Sequence, residues 1–350
     1  MVTISICMIV KNESRVLARC LDSIADLCDE VIIVDTGSTD DTKEVASRYT
    51  DKIYDFEWCD DFAAARNFSF SKATCDYIYA PDADEVLDEA NRREFMKLKE
   101  CMMPEIEIVQ MRYHTVSHDT VLNVADEYRP KLFKRLREFT WIDPIHETVR
   151  LDPLVFDSDV VITHMPQSDH SKRDFTIFEK AVARHGRLSR KVSQMYATEI
   201  YKCGDEEALE RGRAYFEKLW KGSDAGLSKA AACVLAKLSR LKGDGVMLMK
   251  LGLRDMADVP SAEICFETGA FFFGAKDYDE ACVWFLNALS AEALLDVHKI
   301  GDETFAMLAD AYEKLAENPG DSGNPAQFKD LASHYRTEAE NWKMPEEFVI

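Results

Sequence analysis

The chain is short of positive charge. Its 350 residues contain 43 lysines and arginines against 64 aspartates and glutamates, which gives a formal net charge of −21. Proteins that wrap nucleic acid need clustered basic side chains to contact the phosphates, and anionic membrane surfaces attract the same side chains. The composition therefore argues against nucleic acid and membrane partners. It predicts that any phosphate is bound locally, by a metal ion or by a few backbone amides.

The sequence also shows no zinc-finger pattern and no long apolar run, and its first residues do not predict a signal peptide. None of the 10 cysteines forms a CxxC pair, so a zinc site of that type is not expected. Lys11 and Asn12 interrupt the N-terminal segment MVTISICMIVKNE early, and no small-residue cleavage site follows it. No apolar run approaches the length of a membrane span. We therefore expect no membrane span and a cytoplasmic, reduced protein.

The length favours two domains, and the hydrophobic pattern changes between the two halves. In the first third, amphipathic segments separate four apolar runs that predict strands: TISICMIV, DEVIIVDTG, DKIYDFEW and CDYIYAPD. This alternation is typical of an α/β domain with a mostly parallel sheet. Between residues 91 and 162, one helix precedes short segments that predict antiparallel or mixed strands. Beyond residue 172 the pattern is helical.

The helical half contains a segment with the pattern of a tetratricopeptide repeat, AEICFETGAFFFGAKDYDEACVWFLNALS. Gly269 and Ala281 stand where the two helices of such a repeat touch, and Asp277 and Tyr278 stand in the turn. We therefore predict an α/β domain over residues 1–170 and an all-α, tetratricopeptide-like domain over residues 171–350. The helical domain is expected to recognise an acceptor, to form a homodimer, or to do both.

Polar residues follow three of the predicted strands at the point where each strand ends. They are Lys11-Asn12-Glu13, Asp35-Thr36-Gly37-Ser38 and Asp82-Ala83-Asp84. Ligands of parallel α/β sheets bind beyond the carboxyl ends of the strands, so we expect these residues to meet in one crevice.

Together, these motifs resemble those of family-2 glycosyltransferases with a GT-A fold. The resemblance covers residues 2–165 and rests on motifs in the family's order: ISICMIVKNE, EVIIVDTGSTDDT, DFAAARNFSFSKATCDYIYAPDADE, and RPKLFKR followed by IHE. Combined with tetratricopeptide-like helices, the layout is similar to bacterial transferases that glycosylate peptides, proteins or envelope polymers. The resemblance implies a UDP-sugar donor, a peptide, protein or glycan acceptor, and inversion of the anomeric centre.

The segment DADE corresponds to the family's metal-binding DxD motif. Mn²⁺ or Mg²⁺ prefers oxygen ligands and needs only one or two protein carboxylates when phosphates supply the rest. The resemblance implies that Asp84 binds the metal directly and that Asp82 contacts the ribose or the metal's water shell. The alternative is a polar turn in which Asp84 or Glu85 caps the next helix. We expect Glu85 to begin that helix.

The resemblance also implies a set of nucleotide-sugar contacts. Asp35 is expected to accept the imide N–H of the base, and Arg66 is expected to lie near the base or the diphosphate. For both residues the alternative is structural: a helix cap for Asp35 and a surface position for Arg66. The full predicted set is Val10, Asn12, Glu13, Asp35, Gly37, Arg66, Asp82 and Ala83.

Two further residues follow from the IHE motif. His146 resembles the family's downstream histidine ligand and is expected to complete the metal site. Glu147 is expected to be the catalytic residue that takes the acceptor's proton. The alternative is that His146 only packs and that Glu147 faces solvent. His164, at the end of DVVITH, contacts the diphosphate or merely packs.

Two other functions compete with glycosyl transfer. One is a non-catalytic scaffold that binds a nucleotide sugar or a protein through its helical repeats, and the retained carboxylates argue against it. The other is a nucleotidyltransferase, which would need a glycine-rich loop after the first strand. The segment KNES at that position contains no glycine.

Overall fold

The structure is a computed structural model that describes residues 1–103, 105–115, 126–135, 141–142, 148–149, 154–165, 171–257, 259–318 and 324–345. The chain divides into two compact units, Met1–Ala181 and Val182–Val349. The predicted boundary between residues 170 and 171 adjoins residues 166–170, which lie outside the described residues, so this boundary stays a prediction. The predicted order of a sheet domain followed by helices is confirmed.

Strands and helices alternate in the N-terminal part of the first unit, as the sequence predicts. In chain order, the elements up to residue 185 are β1 (Ile4–Val10), α1 (Leu17–Ile24), a 3-10 turn (Ala25–Leu27), β2 (Glu30–Asp35), α2 (Thr42–Ala46), β3 (Ile53–Asp55), α3 (Phe62–Phe70), β4 (Tyr77–Tyr79), β5 (Glu85–Val86), α4 (Glu89–Cys101), β6 (Ile108–Thr115), β7 (Asp126–Lys134), β8 (Trp141–Ile142), β9 (Thr148–Val149), β10 (Val155–His164) and α5 (Ser171–His185), whose last residues belong to the second unit.

Within the described residues, eight strands form one mixed sheet in the order β3-β2-β1-β4-β7-β6-β10-β5, and β8 pairs with β9 separately. β1 lies parallel to β2 and β4, and β2 lies parallel to β3. β7 is antiparallel to both β4 and β6, while β10 is parallel to β6 and antiparallel to β5. The parallel half and the mixed half of the sheet both agree with the sequence pattern.

β1 is buried on both faces because helices cover both sides of the sheet. Ile4, Ile6 and Met8 are completely buried in a cluster that includes residues of α1 and α4. Cys7 lies on the opposite face, in a second cluster with Phe70 of α3. Successive side chains of a strand point to opposite faces, so an uninterrupted apolar run fits a strand that is covered on both sides.

The start of α4 differs from the sequence prediction. Asp88 caps this helix by accepting a hydrogen bond from the amide of Asn91 at 2.8 Å. Glu85 lies in the short strand β5, where it pairs with His164 of β10. The prediction that Glu85 begins the helix is therefore wrong, because an antiparallel pairing with a distant strand takes up this residue.

The second unit is helical in the part that the structure describes. Its elements are α6 (Arg190–Cys203), α7 (Glu206–Trp220), α8 (Ala225–Leu241), α9 (Gly245–Met256), α10 (Ala262–Gly274), α11 (Tyr278–Leu289), a 3-10 turn (Val297–Ile300), α12 (Asp302–Glu317) and α13 (Pro325–Asn341). None of the helices in the described ranges is both long and apolar enough to cross a membrane.

α10 and α11 form the helix pair that the tetratricopeptide-like pattern predicts. Gly269 lies where the two helices touch, and a Cβ atom there would lie 2.7 Å from the ring of Phe285. Asp277 caps α11 by accepting a hydrogen bond from the amide of Glu280 at 3.3 Å. The small residue and the turn residue therefore have the structural roles that their positions in the repeat indicate.

Candidate active site

The polar ends of β1, β2 and β4 meet at one edge of the sheet. Asn12 follows β1, and its Oδ1 accepts a hydrogen bond from the amide of Thr39, which follows β2, at 2.8 Å. Arg66 of α3 places a guanidinium nitrogen 3.7 Å from Oδ1 of Asp82, which follows β4. Because the three strands are parallel neighbours, their carboxyl ends lie side by side, as the crevice prediction requires.

Asp35, the last residue of β2, has two carboxylate oxygens in different surroundings. Oδ1 accepts hydrogen bonds from the amides of Gly37 at 3.0 Å and Ser38 at 2.9 Å, and Gly37 has a φ of 100°. Glycine adopts such a positive φ without the strain that a side chain would add. Oδ2 is buried and has no hydrogen-bond partner. The turn uses one oxygen of Asp35 and leaves the other available to a ligand.

The loop after β1 is held by hydrogen bonds to the segment that follows β2. The carbonyl of Val10 accepts from the amide of Thr36 at 2.9 Å, and the amide of Glu13 donates to Oγ1 of Thr42 at 2.8 Å. Asn12 has a φ of 57°. These contacts give Val10, Asn12 and Glu13 a part in shaping the crevice, and their contact with a nucleotide stays a prediction.

Asp82 lies at the rim of the crevice with a side chain that is 44% exposed. Its Oδ2 is 3.4 Å from Nζ of Lys131, and its Oδ1 is close to Arg66. Partial desolvation opposes ionisation of this carboxyl, but the positive charges of Lys131 and Arg66 outweigh that effect. They hold the pKa of Asp82 well below its usual value. Asp82 is therefore an ionised acceptor at neutral pH.

Asp84 lies two residues after Asp82 in the same turn and pairs with His164, the last residue of β10. Oδ2 of Asp84 is 3.0 Å from Nε2 of His164. The pairing of β5 with β10 brings them together, and the amide of Met165 donates to the carbonyl of Asp84 at 3.1 Å. Both side chains keep about a fifth of their surface exposed, 21% for Asp84 and 23% for His164. A ligand can therefore reach them.

Lys131 and Glu85 form a buried ion pair that the sequence analysis missed. Nζ of Lys131 is 2.5 Å from Oε1 of Glu85, and neither side chain is more than 7% exposed. Burial and the charge of Asp82 raise the pKa of Glu85 to about 7, against the opposing effect of Lys131. The one feature of the sequence that could have indicated this buried lysine is its place between apolar residues in the strand segment RPKLFK. Its partner could not be identified, because 46 positions separate the two residues.

Arg66 and Trp141 line the crevice from the side of α3. The guanidinium carbon of Arg66 lies 5.0 Å from the centre of the Trp141 ring, a cation–π arrangement. Asn67 holds Trp141 by donating to its carbonyl at 3.1 Å and accepting from its amide at 2.9 Å. Arg66 is buried, so the surface alternative considered for it is wrong. Ala83 is also buried, between the two aspartates of the turn.

Several buried polar atoms of this region have no hydrogen-bond partner. They are Oδ2 of Asp35, Oε2 of Glu85, Nε1 of Trp141 and Nδ1 of His164. Buried polar atoms of native proteins nearly always have a partner, so a group of unpaired ones indicates a missing polar ligand or solvent. The structure thus supports a binding site at this edge of the sheet.

Asp84 and His164 together fit a divalent metal ion. Asp84 offers a carboxylate and His164 an imidazole, which are both ligands of Mn²⁺ and related ions. No group of three or more His, Cys, Asp or Glu side chains suited to a metal occurs in the part of the chain that the structure describes. A metal held by this pair would take its remaining ligands from phosphate and water oxygens. The predicted ligand His146 and the predicted base Glu147 lie outside the described residues.

Comparison with known proteins gives the class of the first unit. Residues 5–146 match the model of the family described as Glycosyl transferase family 2. This range contains Asp35, Arg66, Asp82 and Asp84. Over these residues the chain therefore matches a family-2 glycosyltransferase domain, and the resemblance inferred from its motifs is confirmed.

Individual relatives share shorter or weaker similarity. The chain is 37% identical over 98 residues to the SPbeta prophage-derived glycosyltransferase SunS of Bacillus subtilis, a match that covers 27% of this chain and 23% of SunS. It is 47% identical over 87 residues to a TPR repeat-containing protein of Synechococcus elongatus, which covers 25% of this chain and 22% of that protein. An uncharacterized glycosyltransferase of Rickettsia prowazekii is 28% identical over 174 residues, or 46% of this chain and 55% of that one.

The chain thus spans between about a fifth and about half of the length of these relatives. Among solved structures, glucosyl-3-phosphoglycerate synthase from Mycobacterium tuberculosis, in complex with Mn²⁺, UDP-glucose and phosphoglyceric acid, has a TM-score of 0.41 and 16% identity. That match covers 54% of this chain and 82% of the synthase.

Proposed function

We propose that this protein transfers a sugar from a UDP-sugar donor to a peptide, protein or glycan acceptor, with inversion at the anomeric carbon. One observation carries the proposal. Asp35 with its unpaired oxygen, the ionised Asp82, and the Asp84–His164 pair lie at one edge of the sheet, and all three aspartates fall within the residues that match the glycosyltransferase family.

The donor's nucleotide fits the first two of these groups. Oδ2 of Asp35 is a buried acceptor without a donor, and the imide N–H of uracil supplies one. Asp82 is a partly exposed, ionised acceptor suited to ribose hydroxyls. Arg66 beside it supplies a planar cation that matches the oxygens of a diphosphate.

Asp84 and His164 would hold a Mn²⁺ or Mg²⁺ ion. When bound, the ion supplies Lewis-acid stabilisation of the negative charge that develops on the leaving diphosphate. His164 is thereby proposed as a metal ligand, a role that the sequence analysis did not give it. A metal-binding role for His146 itself stays a prediction.

In the transfer, an acceptor oxygen, sulfur or nitrogen forms its bond to the anomeric carbon as the bond to the diphosphate breaks. The electron pair of the broken bond leaves on the diphosphate, and the acceptor's proton passes to a base, for which we propose Glu147. A single in-line displacement inverts the centre and needs no covalent enzyme intermediate. The buried cysteines therefore need no part in the chemistry.

The test is titration calorimetry of the purified chain with UDP in the presence of Mn²⁺ or Mg²⁺, together with UDP release from a panel of UDP- and GDP-sugars. We expect saturable, metal-dependent UDP binding and release from at least one UDP-sugar. Asp84→Ala should lower both by at least about tenfold, since it removes a charged ligand. Asp88→Ala is the matched control: it removes the cap of α4 at a cost of about 1 kcal/mol of stability and should keep UDP affinity.

Absence of UDP binding by the wild-type chain with either metal would overturn the proposal. UDP binding without release from any sugar donor would instead favour the non-catalytic scaffold.

A further inference from the structure

The buried pair of Lys131 and Glu85 has no part in the function proposed above. Only 5% of Lys131 and 2% of Glu85 are exposed. Removing two charges from water is costly, and a buried ion pair often stabilises a protein no more than apolar residues of similar volume would. A purely structural account therefore gives little reason for this pair beside a binding site.

The position of the Lys131 ammonium is fixed from two directions. Lys131 lies on β7 next to β4, and its carbonyl accepts a hydrogen bond from the amide of Ala80 at 2.9 Å. At the other end of its side chain, Glu85 binds the ammonium at 2.5 Å. The amide of Glu85 in turn donates to the carbonyl of Asp82 at 3.1 Å, so the three residues share one turn and one neighbouring strand.

This fixed ammonium also contacts Asp82, whose side chain is 44% exposed. Nζ of Lys131 is 3.4 Å from Oδ2 of Asp82, while Asp84 has a different partner, His164. The two aspartates of the motif thus have different partners. Asp82 is drawn to the cations Lys131 and Arg66, and Asp84 is drawn to the imidazole.

We propose that Lys131 is a positioning residue of the donor site: it holds Asp82 as a nucleotide contact and leaves Asp84 to bind the metal. The inference rests on the proposed function and deepens it. Asp82 keeps one orientation because a buried, doubly paired ammonium lies behind it. Without that ammonium, the partly exposed carboxylate would sample several rotamers, and the donor would have to order it on binding.

The test separates the Lys131–Asp82 contact from the Lys131–Glu85 pair. Lys131→Gln alone leaves the buried Glu85 without its partner and is expected to destabilise the fold, so the comparison uses Glu85→Gln against the double variant Glu85→Gln/Lys131→Gln. Both have a neutral residue at position 85. UDP affinity with Mn²⁺ is measured by calorimetry and folding by thermal unfolding without ligand. Lys134→Gln, a lysine of the same strand three positions on, is the matched control.

We expect Lys134→Gln to bind UDP within about threefold of the wild type. Glu85→Gln, whose amide oxygen still accepts a hydrogen bond from the Lys131 ammonium, is the reference for the double variant. The double variant should unfold at a temperature similar to that of Glu85→Gln but bind UDP about tenfold to a hundredfold more weakly, as expected for loss of a charged hydrogen bond. When Asp82→Asn is added to both Glu85→Gln and the double variant, their UDP affinities should be almost equal, because Lys131 acts through Asp82.

Equal UDP affinity of Glu85→Gln and the double variant would overturn the inference. So would a loss of UDP affinity on adding Lys131→Gln that is as large with Asp82→Asn present as without it. Either result with UDP binding by the wild type leaves the proposed function standing. Failure of the wild type to bind UDP would remove the proposed function itself.

Discussion

Asp35 shows how a single side chain separates a structural role from a ligand-binding one. Its Oδ1 accepts hydrogen bonds from the amides of Gly37 and Ser38, which accounts for the tight turn after β2. That turn does not account for Oδ2, which is buried without a partner. An unpaired buried carboxylate oxygen costs roughly 1–3 kcal/mol, so it is expected where a ligand supplies the missing donor.

Replacing Asp35 with asparagine tests this assignment with little change of shape. The amide oxygen of Asn still accepts from Gly37 and Ser38, while an NH₂ group replaces Oδ2 and cannot accept the imide N–H. We expect UDP affinity in the presence of Mn²⁺ to fall about tenfold to a hundredfold, with thermal stability nearly unchanged. Calorimetry with UDP measures the affinity. Wild-type affinity in Asp35→Asn would contradict the assignment.

The motif DADE shows what the sequence could predict about single residues and what it could not. The resemblance predicted different roles for Asp82 and Asp84, and the structure gives them different partners. The role of Glu85 was mispredicted. Its partner Lys131 lies 46 positions away, and the partner of Asp84, His164, lies 80 positions away. No local pattern encodes such contacts, because they depend on how distant strands pair.

At the scale of elements, the local sequence was sufficient for β1, β2 and the helix pair α10–α11. The two strands are uninterrupted apolar runs, and the helix pair carries the tetratricopeptide-like pattern. It was not sufficient for β5, a strand of two residues that exists only through pairing with β10. The sequence thus predicted the parallel half of the sheet and the crevice at its edge, while the antiparallel contact that completes the site required the structure.

The first turn of α10 contains a carboxyl whose protonation should affect the stability of the helical unit. Oε1 of Glu263 accepts hydrogen bonds from the amides of Leu294, Leu295 and Asp296 at 2.5–2.9 Å, and the side chain is fully buried. Burial outweighs these hydrogen bonds and raises the pKa of Glu263 from 4.5 to about 7. The folded unit therefore holds this proton more tightly than the unfolded chain does.

This raised pKa predicts how stability changes with pH. The contribution of Glu263 is fully present below about pH 4.5 and is lost as pH rises through about 7. Since one pKa unit corresponds to about 1.4 kcal/mol, the contribution of Glu263 to the free energy of unfolding is about 3 kcal/mol. Glu263→Gln stays neutral and keeps the accepting oxygen, so its free energy of unfolding should rise relative to the wild type between pH 4.5 and pH 8. Urea unfolding at both pH values measures this, and parallel pH curves would contradict it.

At the scale of the whole molecule, the net charge of −21 bears on the kind of anion that can bind. A strongly acidic chain does not suit a polyanion. At the crevice, Lys131 is already paired with Glu85, so Arg66 beside Asp82 is the cation proposed to meet a small anion such as a nucleotide diphosphate.

The location of the donor site within the first unit can be tested on the intact chain by hydrogen exchange. UDP with Mn²⁺ should slow exchange most in residues 35–38 and 82–86, because the ligand binds only the closed form of these segments. At a hundredfold excess over Kd, binding stabilises that form by about 2.7 kcal/mol, which corresponds to exchange roughly a hundredfold slower. Asp84→Ala with the same ligands is the control and should lose this protection. Protection that is largest beyond residue 182 would show that the nucleotide binds elsewhere, since every residue proposed to contact it precedes that position.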